Sequence, residues 1–317
     1  MVWTSIFLAT IPLQQAEGLE PETRAVAYLV REVPRWSPEN RCYSCHNNGD
    51  AARALFTASR LGFEVPDAAV RDTIGWLTNP DGWEHNGGEG EFSDKRLARI
   101  QFAAALRTAI ETGHVKNRVP LRLAADQLAR DQQDDGSWPS DTSGNIGSPV
   151  TYGRVLATLQ ARDTLRLADA DTFRLQIERA NRWLRRVEPK NVLDAAAVVP
   201  ASDGDENREA REQRQLAYRL LRKAQSSNGG WGPYTTAPPE AFDTAIVLLA
   251  LVRVKDQPVA RSLIDRGRAF LVASQLPDGS WPETTRPPGA ESYAQRISTT
   301  GWVTLALLET RSARHAR

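Results

Sequence analysis

Methionine occurs only as Met1, cysteine twice within four positions, and histidine four times, as His46, His85, His114 and His315. A metal site built from Cys and His would have to draw on most of these, and methionine cannot supply a ligand from within the chain. No run of 18 apolar residues occurs, so no segment is long enough to span a bilayer as a helix. Neither sign of charge is in excess: 40 Lys and Arg face 39 Asp and Glu, a formal net charge of +1. That removes the basic field a nucleic-acid partner needs and the acidic field that would draw cationic ones. What remains, 317 residues with 41% hydrophobic and 25% charged, is enough chain to bury a large helical core.

A short pattern recurs along the chain. It reads Gln132-x-x-Asp135-Gly136-Ser137-Trp138, Gln225-x-x-Asn228-Gly229-Gly230-Trp231 and Gln275-x-x-Asp278-Gly279-Ser280-Trp281, with a shorter form at Asp81-Gly82-Trp83. Successive Trp positions are 55, 93 and 50 residues apart, which predicts a period of about 50 with a degenerate copy near residue 185. Before each copy, apolar residues recur at helical spacing, as in Leu121, Ala124 and Leu128. After it comes a more continuously apolar run, such as 245–251 or 303–308. Each unit therefore reads as an amphipathic outer helix, an Asp-Gly or Asn-Gly turn at positive φ, and a buried inner helix. Six hairpins follow, at 22–62, 66–112, 119–162, 172–201, 208–254 and 258–309. The Gln-x-x-(Asp/Asn)-Gly-x-Trp motif resembles the QW repeat of squalene-hopene cyclases and of the wider terpenoid cyclase and prenyltransferase superfamily. Over roughly residues 66 to 309 the resemblance implies an all-α (α/α)6 toroid whose inner helices line a central cavity. Fold alone leaves the chemistry open.

The densest chemistry lies in Asn40-Arg-Cys42-Tyr-Ser-Cys45-His46, which holds both cysteines. Cys-x-x-Cys-His is the attachment pattern of c-type haem, with Cys42 and Cys45 as thioether anchors and His46 as proximal iron ligand. A zinc site, a redox-active dithiol, a strained disulfide and two plain cysteines compete with this reading. The segment connects the first outer helix to the first inner one, and the equivalent second loop carries His85 at the same end of the ring. His85 is thus the candidate distal ligand, whereas His114 follows an inner helix and belongs at the opposite end. Glu84, Glu89, Glu91 and Asp94 of that second loop leave a carbohydrate-active toroid conceivable, although no two of them are paired at a defined spacing.

A second constellation, Glu240-Ala-Phe242-Asp243-Thr244-Ala245, is similar to the Asp-x-Asp-Asp-Thr-Ala acid motif of class II cyclases. The resemblance implies a proton donor at the middle acid, where this chain has Phe242, flanked by Glu240 and Asp243. The plainer expectation is that Asp243 caps an inner helix, as Asp50 and Asp194 would in two other hairpins. Inner-segment aromatics are few: Phe56, Phe102, Tyr152, Phe242, Tyr293 and Trp302.

The leading expectation is an exported, periplasmic or extracellular haem c toroid acting in electron transfer, with a redox partner or a small apolar ligand in the cavity. A terpenoid cyclase-like enzyme acting on an isoprenoid through Glu240 and Asp243, and a non-catalytic binding scaffold, are the alternatives. Residues 1–18 read as a leader, 19–312 as one toroid domain and 313–317 as a basic tail.

Overall fold

The computed structural model describes residues 20–86, 95–140, 147–253, 258–284, 286, 289 and 292–315. Outer and inner helices alternate through six hairpins: α1 (Pro21–Glu32) and, after the short α2 (Trp36–Asn40), α3 (Ala52–Arg60); α4 (Asp67–Leu77) and α5 (Lys95–Glu111); α6 (Val119–Asp131) and α7 (Arg154–Asp169); α8 (Arg174–Arg186) and α9 (Val192–Ala201); α10 (Arg208–Ala224) and α11 (Ala241–Val252); α12 (Pro258–Ala273) and α13 (Tyr293–His315). A π-helical turn, Cys45–Ala51, leads into α3. No strand occurs among the described residues, only an isolated bridge between Trp231 and Glu240.

Each inner helix packs on the next, α3 on α5, α5 on α7, α7 on α9, α9 on α11, α11 on α13, and α13 again on α3. The result is the closed (α/α)6 toroid that the repeat implies. Small residues let the inner ring close tightly, as in Ala103, Ala104 and Ala105 of α5 or Ala195, Ala196 and Ala197 of α9, all buried. The outer helices bury one stripe each. On α8 it is Ile177, Ala180 and Leu184, at helical spacing, with mostly polar residues on the other faces.

The repeated motif joins neighbouring hairpins. In each full copy the Gln side chain donates both to its own Gly carbonyl and to a carbonyl of the following outer helix: Gln132 to Gln176, Gln225 to Leu263 and Gln275 to Pro21. The Trp indole donates at 2.8 Å to the carbonyl ten residues earlier, on Leu128, Leu221 or Leu271. Gly136, Gly229 and Gly279 stand at φ of 94°, 93° and 93°. A Cβ at Gly229 would also lie 2.4 Å from the Arg266 carbonyl oxygen, so the site is closed to side chains twice over. The third copy reaches α1, and with the Glu22–Arg268 pair it ties the last hairpin to the first. The fourth hairpin departs from expectation: its connection, 187–191, carries no Trp, and Gln213 of the next outer helix donates back to the Val187 carbonyl instead. Gln127 does the same for Pro80 in the second hairpin.

Candidate active site

All six inner helices contribute to a central cavity of about 600 Å³. Helical spacing arranges its lining in three levels. Arg53, Leu156, Ile246 and Trp302 form the floor, Thr57, Arg107, Gln160 and Leu305 the middle, and Arg60, Asp163, Arg253 and Glu309 the rim. The rim lies at the C-terminal ends of the inner helices. The connecting loops that carry the repeats cover the other end.

Two buried carboxylates lie just beyond the floor. Asp50 and Asp243 precede the floor residues Arg53 and Ile246 by three positions, about 4.5 Å of helix rise. Asp243 is fully buried on the first turn of α11. Its Oδ2 accepts a charge-assisted hydrogen bond from Arg286, which also donates to Glu240 at 3.1 Å and to the Gly147 carbonyl at 2.8 Å. Oδ1 of Asp243 is buried with no hydrogen-bond partner. Burial, with the Glu240 carboxylate on the same guanidinium, lifts the Asp243 carboxyl to about 7 against the pull of Arg286.

Asp50 is hydrogen-bonded on both oxygens: Tyr152 Oη donates to Oδ1, while Gln101 Nε2 at 2.9 Å and Ser298 Oγ at 3.0 Å donate to Oδ2. Burial raises this carboxyl to about 6, and the Tyr152 hydrogen bond and the Arg53 charge oppose the rise. Tyr152 adopts a left-handed backbone, φ 60°, a cost that its bond to Asp50 offsets. Between the acids stands Trp302, with Tyr152 edge-on at 5.5 Å, Phe242 edge-on at 6.1 Å and the Arg53 guanidinium 4.5 Å from its ring.

None of the three acids expected to cap an inner helix does so. Asp243 bonds a side chain, not free backbone N–H groups, and the residue at the α11 N-cap, Glu240, makes no side-chain cap. Asp50 lies inside the π-helical turn, whose cap is Ser44. Asp194 sits in the first turn of α9, but the cap is Asn191, which accepts from Asp194 N, while the Asp194 carboxylate accepts from Lys190 N ahead of the helix.

The Cys-x-x-Cys-His segment is folded into the wall beside this site. Cys42 and Cys45 are 9% and 7% exposed, and no disulfide joins them. Cys42 Sγ receives the Trp36 indole N–H at 3.4 Å. The imidazole of His46 is half-buried, with Nδ1 2.9 Å from Ser298 Oγ, and burial lowers it to about 4, so it is neutral at pH 7. His85 is exposed at the end of a 3₁₀ turn, and Asn86 beside it pairs with the backbone of Tyr43. The two loops are thus neighbours, yet among the described residues no three His, Cys, Asp or Glu side chains are gathered as a metal site. His114, past the end of α5, lies tilted against Phe56, their ring centres 5.0 Å apart. Glu84 pairs with Arg99, while Glu89, Glu91 and Asp94 lie outside the described residues, as do the leader at 1–18 and His315's side chain.

No protein-family model matches the chain. It is 27% identical over 248 residues to a drimenyl diphosphate synthase from Streptomyces showdoensis, covering 72% of this chain and 45% of that protein; the chain thus spans under half the length of the curated relative it matches. Among solved structures it resembles the type II terpene cyclase MstE from Scytonema, in complex with its substrate geranylgeranyl dihydroxybenzoate, with a TM-score of 0.59, 15% identity, and 95% and 98% of the two chains covered. A possible GH105-family protein from Salmonella enterica gives a TM-score of 0.62 at 11% identity over 99% and 100%. The fold is the terpenoid cyclase-like α/α toroid. These relatives overturn the expectation of a haem electron-transfer protein with a redox partner. The fold gives part of the physical reason: the Cys-x-x-Cys-His segment packs its thiols inward and engages His46 with Ser298.

Proposed function

We propose that the chain is a cyclase-like enzyme that starts ring closure of an isoprenoid by protonating a carbon–carbon double bond. The observation that carries this is the Asp243 carboxyl, fully buried one turn beyond the cavity floor, held by Arg286 on Oδ2 and unpartnered on Oδ1. Among the described residues no donor reaches Oδ1, and the only carboxylate acting on the Asp243 proton is Glu240, so a double bond brought to this carboxyl meets an acid kept protonated by burial. Transfer breaks the O–H bond, forms a C–H bond and leaves a carbocation that successive alkenes capture. Loss of a proton from the final cation restores the overall composition, and Asp243 must be reprotonated before the next turnover. Arg286 then stabilises the carboxylate left behind. Apolar walls from α9 and α11 keep water from the cation, and Trp302, Phe242 and Tyr152 supply aromatic edges and faces near the floor.

In this reading Asp243 fills the role that the family motif gives to the position Phe242 occupies. The test is incubation with squalene, farnesyl diphosphate and geranylgeranyl diphosphate, followed by product analysis. Cyclised product from one of them, lowered at least about 100-fold by Asp243→Asn, is expected for loss of a general acid. No product from any of the three, or full activity in the Asn variant, overturns the assignment.

A further inference from the structure

The cavity is two-faced. Toward α9, α11 and α13 its wall is apolar, with Ala197, Ile246, Leu249 and Leu305. Toward α3 and α5 it presents two arginines, Arg53 and Arg107, which are 6% and 9% exposed. Arg107 donates to the Gln160 carbonyl at 3.3 Å and to its side-chain oxygen at 2.9 Å, both neutral acceptors. Arg53 makes no salt bridge among the described residues, the Asp50 carboxyl acts on it only through space, and its Nε and Nη1 are buried without acceptors. Beneath its guanidinium, Trp302 Nε1 is likewise buried without one. Three orphaned donors thus meet at one level of the cavity, and an unmade hydrogen bond at a buried donor costs about 1–3 kcal/mol, more for a charged group. The acids nearer the mouth do not reach these donors: Asp163 is paired with Arg162 and Glu309 with Arg60, and Asp163 and Glu111 act on Arg107.

We infer that Arg53, Arg107 and the Trp302 indole form a binding site for an anionic, oxygen-rich headgroup, a phosphate ester or carboxylate, attached to an apolar chain that lies along α9 and α11. Such a group supplies acceptors where the protein supplies only donors, and planar guanidinium forks match phosphate and carboxylate oxygens in pairs. The inference rests on the isoprenoid reading above and names the substrate class as a head-charged isoprenoid, not a hydrocarbon.

The test is a calorimetric titration of the purified chain with farnesyl diphosphate, farnesoic acid, farnesol and inorganic pyrophosphate. Farnesyl diphosphate or farnesoic acid should bind at least about tenfold more tightly than farnesol, as charge-assisted hydrogen bonds require. A gain shared by both anions supports a general anion site, and a gain confined to the diphosphate supports a phosphate site. Arg53→Gln and Arg107→Gln should each shrink the gain while leaving farnesol binding as it was. Farnesol binding as tightly as both anions overturns the inference, and the wild-type affinities decide this even if a variant fails to fold. So does an undiminished gain in both folded variants. Pyrophosphate binding that neither substitution weakens places its site elsewhere and counts against the assignment. Binding is read without turnover, so an anion preference with no cyclised product would remove the catalytic reading and leave this site standing.

Discussion

Asp50 and Asp243 are both withdrawn from water, but their oxygens face different things. Asp50 ties three inner elements together through Tyr152, Gln101 and Ser298, whereas Asp243 keeps one oxygen unclaimed. Burial lifts Asp50 from its ordinary 3.8 to about 6, so the folded chain binds this proton more tightly than the unfolded one. Its favourable contribution is complete below the unfolded value and is lost as pH rises through about 6. Asp50→Asn cannot ionise and should gain on the wild type as pH rises between roughly 4 and 7, where the carboxyl would be losing its contribution. Thermal melts across that range should show the variant rising relative to wild type, by about 2–4 °C for each kcal/mol recovered in a chain this large. A difference that stays flat with pH would mean the carboxyl titrates near its ordinary value.

At the scale of elements, the turn between outer and inner helix decides the register of the ring. Gly229→Ala places a Cβ against the Arg266 carbonyl in a backbone that already disfavours it, while Gly204, at φ 69°, has nothing within 4 Å of its would-be Cβ. Denaturant unfolding should show Gly204→Ala costing about 1 kcal/mol, the left-handed backbone alone, and Gly229→Ala clearly more. Equal losses would show that the contact with the next outer helix is yielding. These turns were legible in the sequence because Asp-Gly-x-Trp is contiguous and has a local mechanism. Six hairpins were legible as well, because α9, α11 and α13 carry apolar runs that stand out and the repeat spacing places the others, although α7 continues to Asp169, past the expected end at 162. The π-helical turn at Cys45–Ala51 was not legible, being one turn long. The candidate site was legible only in part: Glu240 and Asp243 are adjacent in a motif, but Arg286 comes from a proline-rich connection, and Asp50, Gln101, Tyr152 and Ser298 are single polar residues in four separate segments. Cys-x-x-Cys-His misled in the other direction, because a strong local pattern says nothing of what its side chains pack against.

Across the whole molecule, the ring is closed by polar contacts as well as by packing. Glu22, 1% exposed, pairs with Arg268, which also donates to the Leu307 carbonyl and Thr310 on α13 at 2.6 Å. Arg268→Ala strands a buried carboxylate and should cost about 3–5 kcal/mol, whereas Glu22→Gln with Arg268→Met should recover part of that loss. Urea unfolding of the two variants and the wild type checks the order. An Arg268→Ala loss below about 1 kcal/mol would mean the seam is held by apolar packing alone.

That seam brings Glu20, just before the first helix, within 3.8 Å of Arg311 in the last one. A short peptide bridge could therefore join the two ends, and the chain could be cut instead at another surface connection, such as 203–207, without changing which helix touches which. The order of hairpins along the gene then becomes a convention of where the circle was opened, and a circularly permuted protein should build the same cavity from the same twelve principal helices.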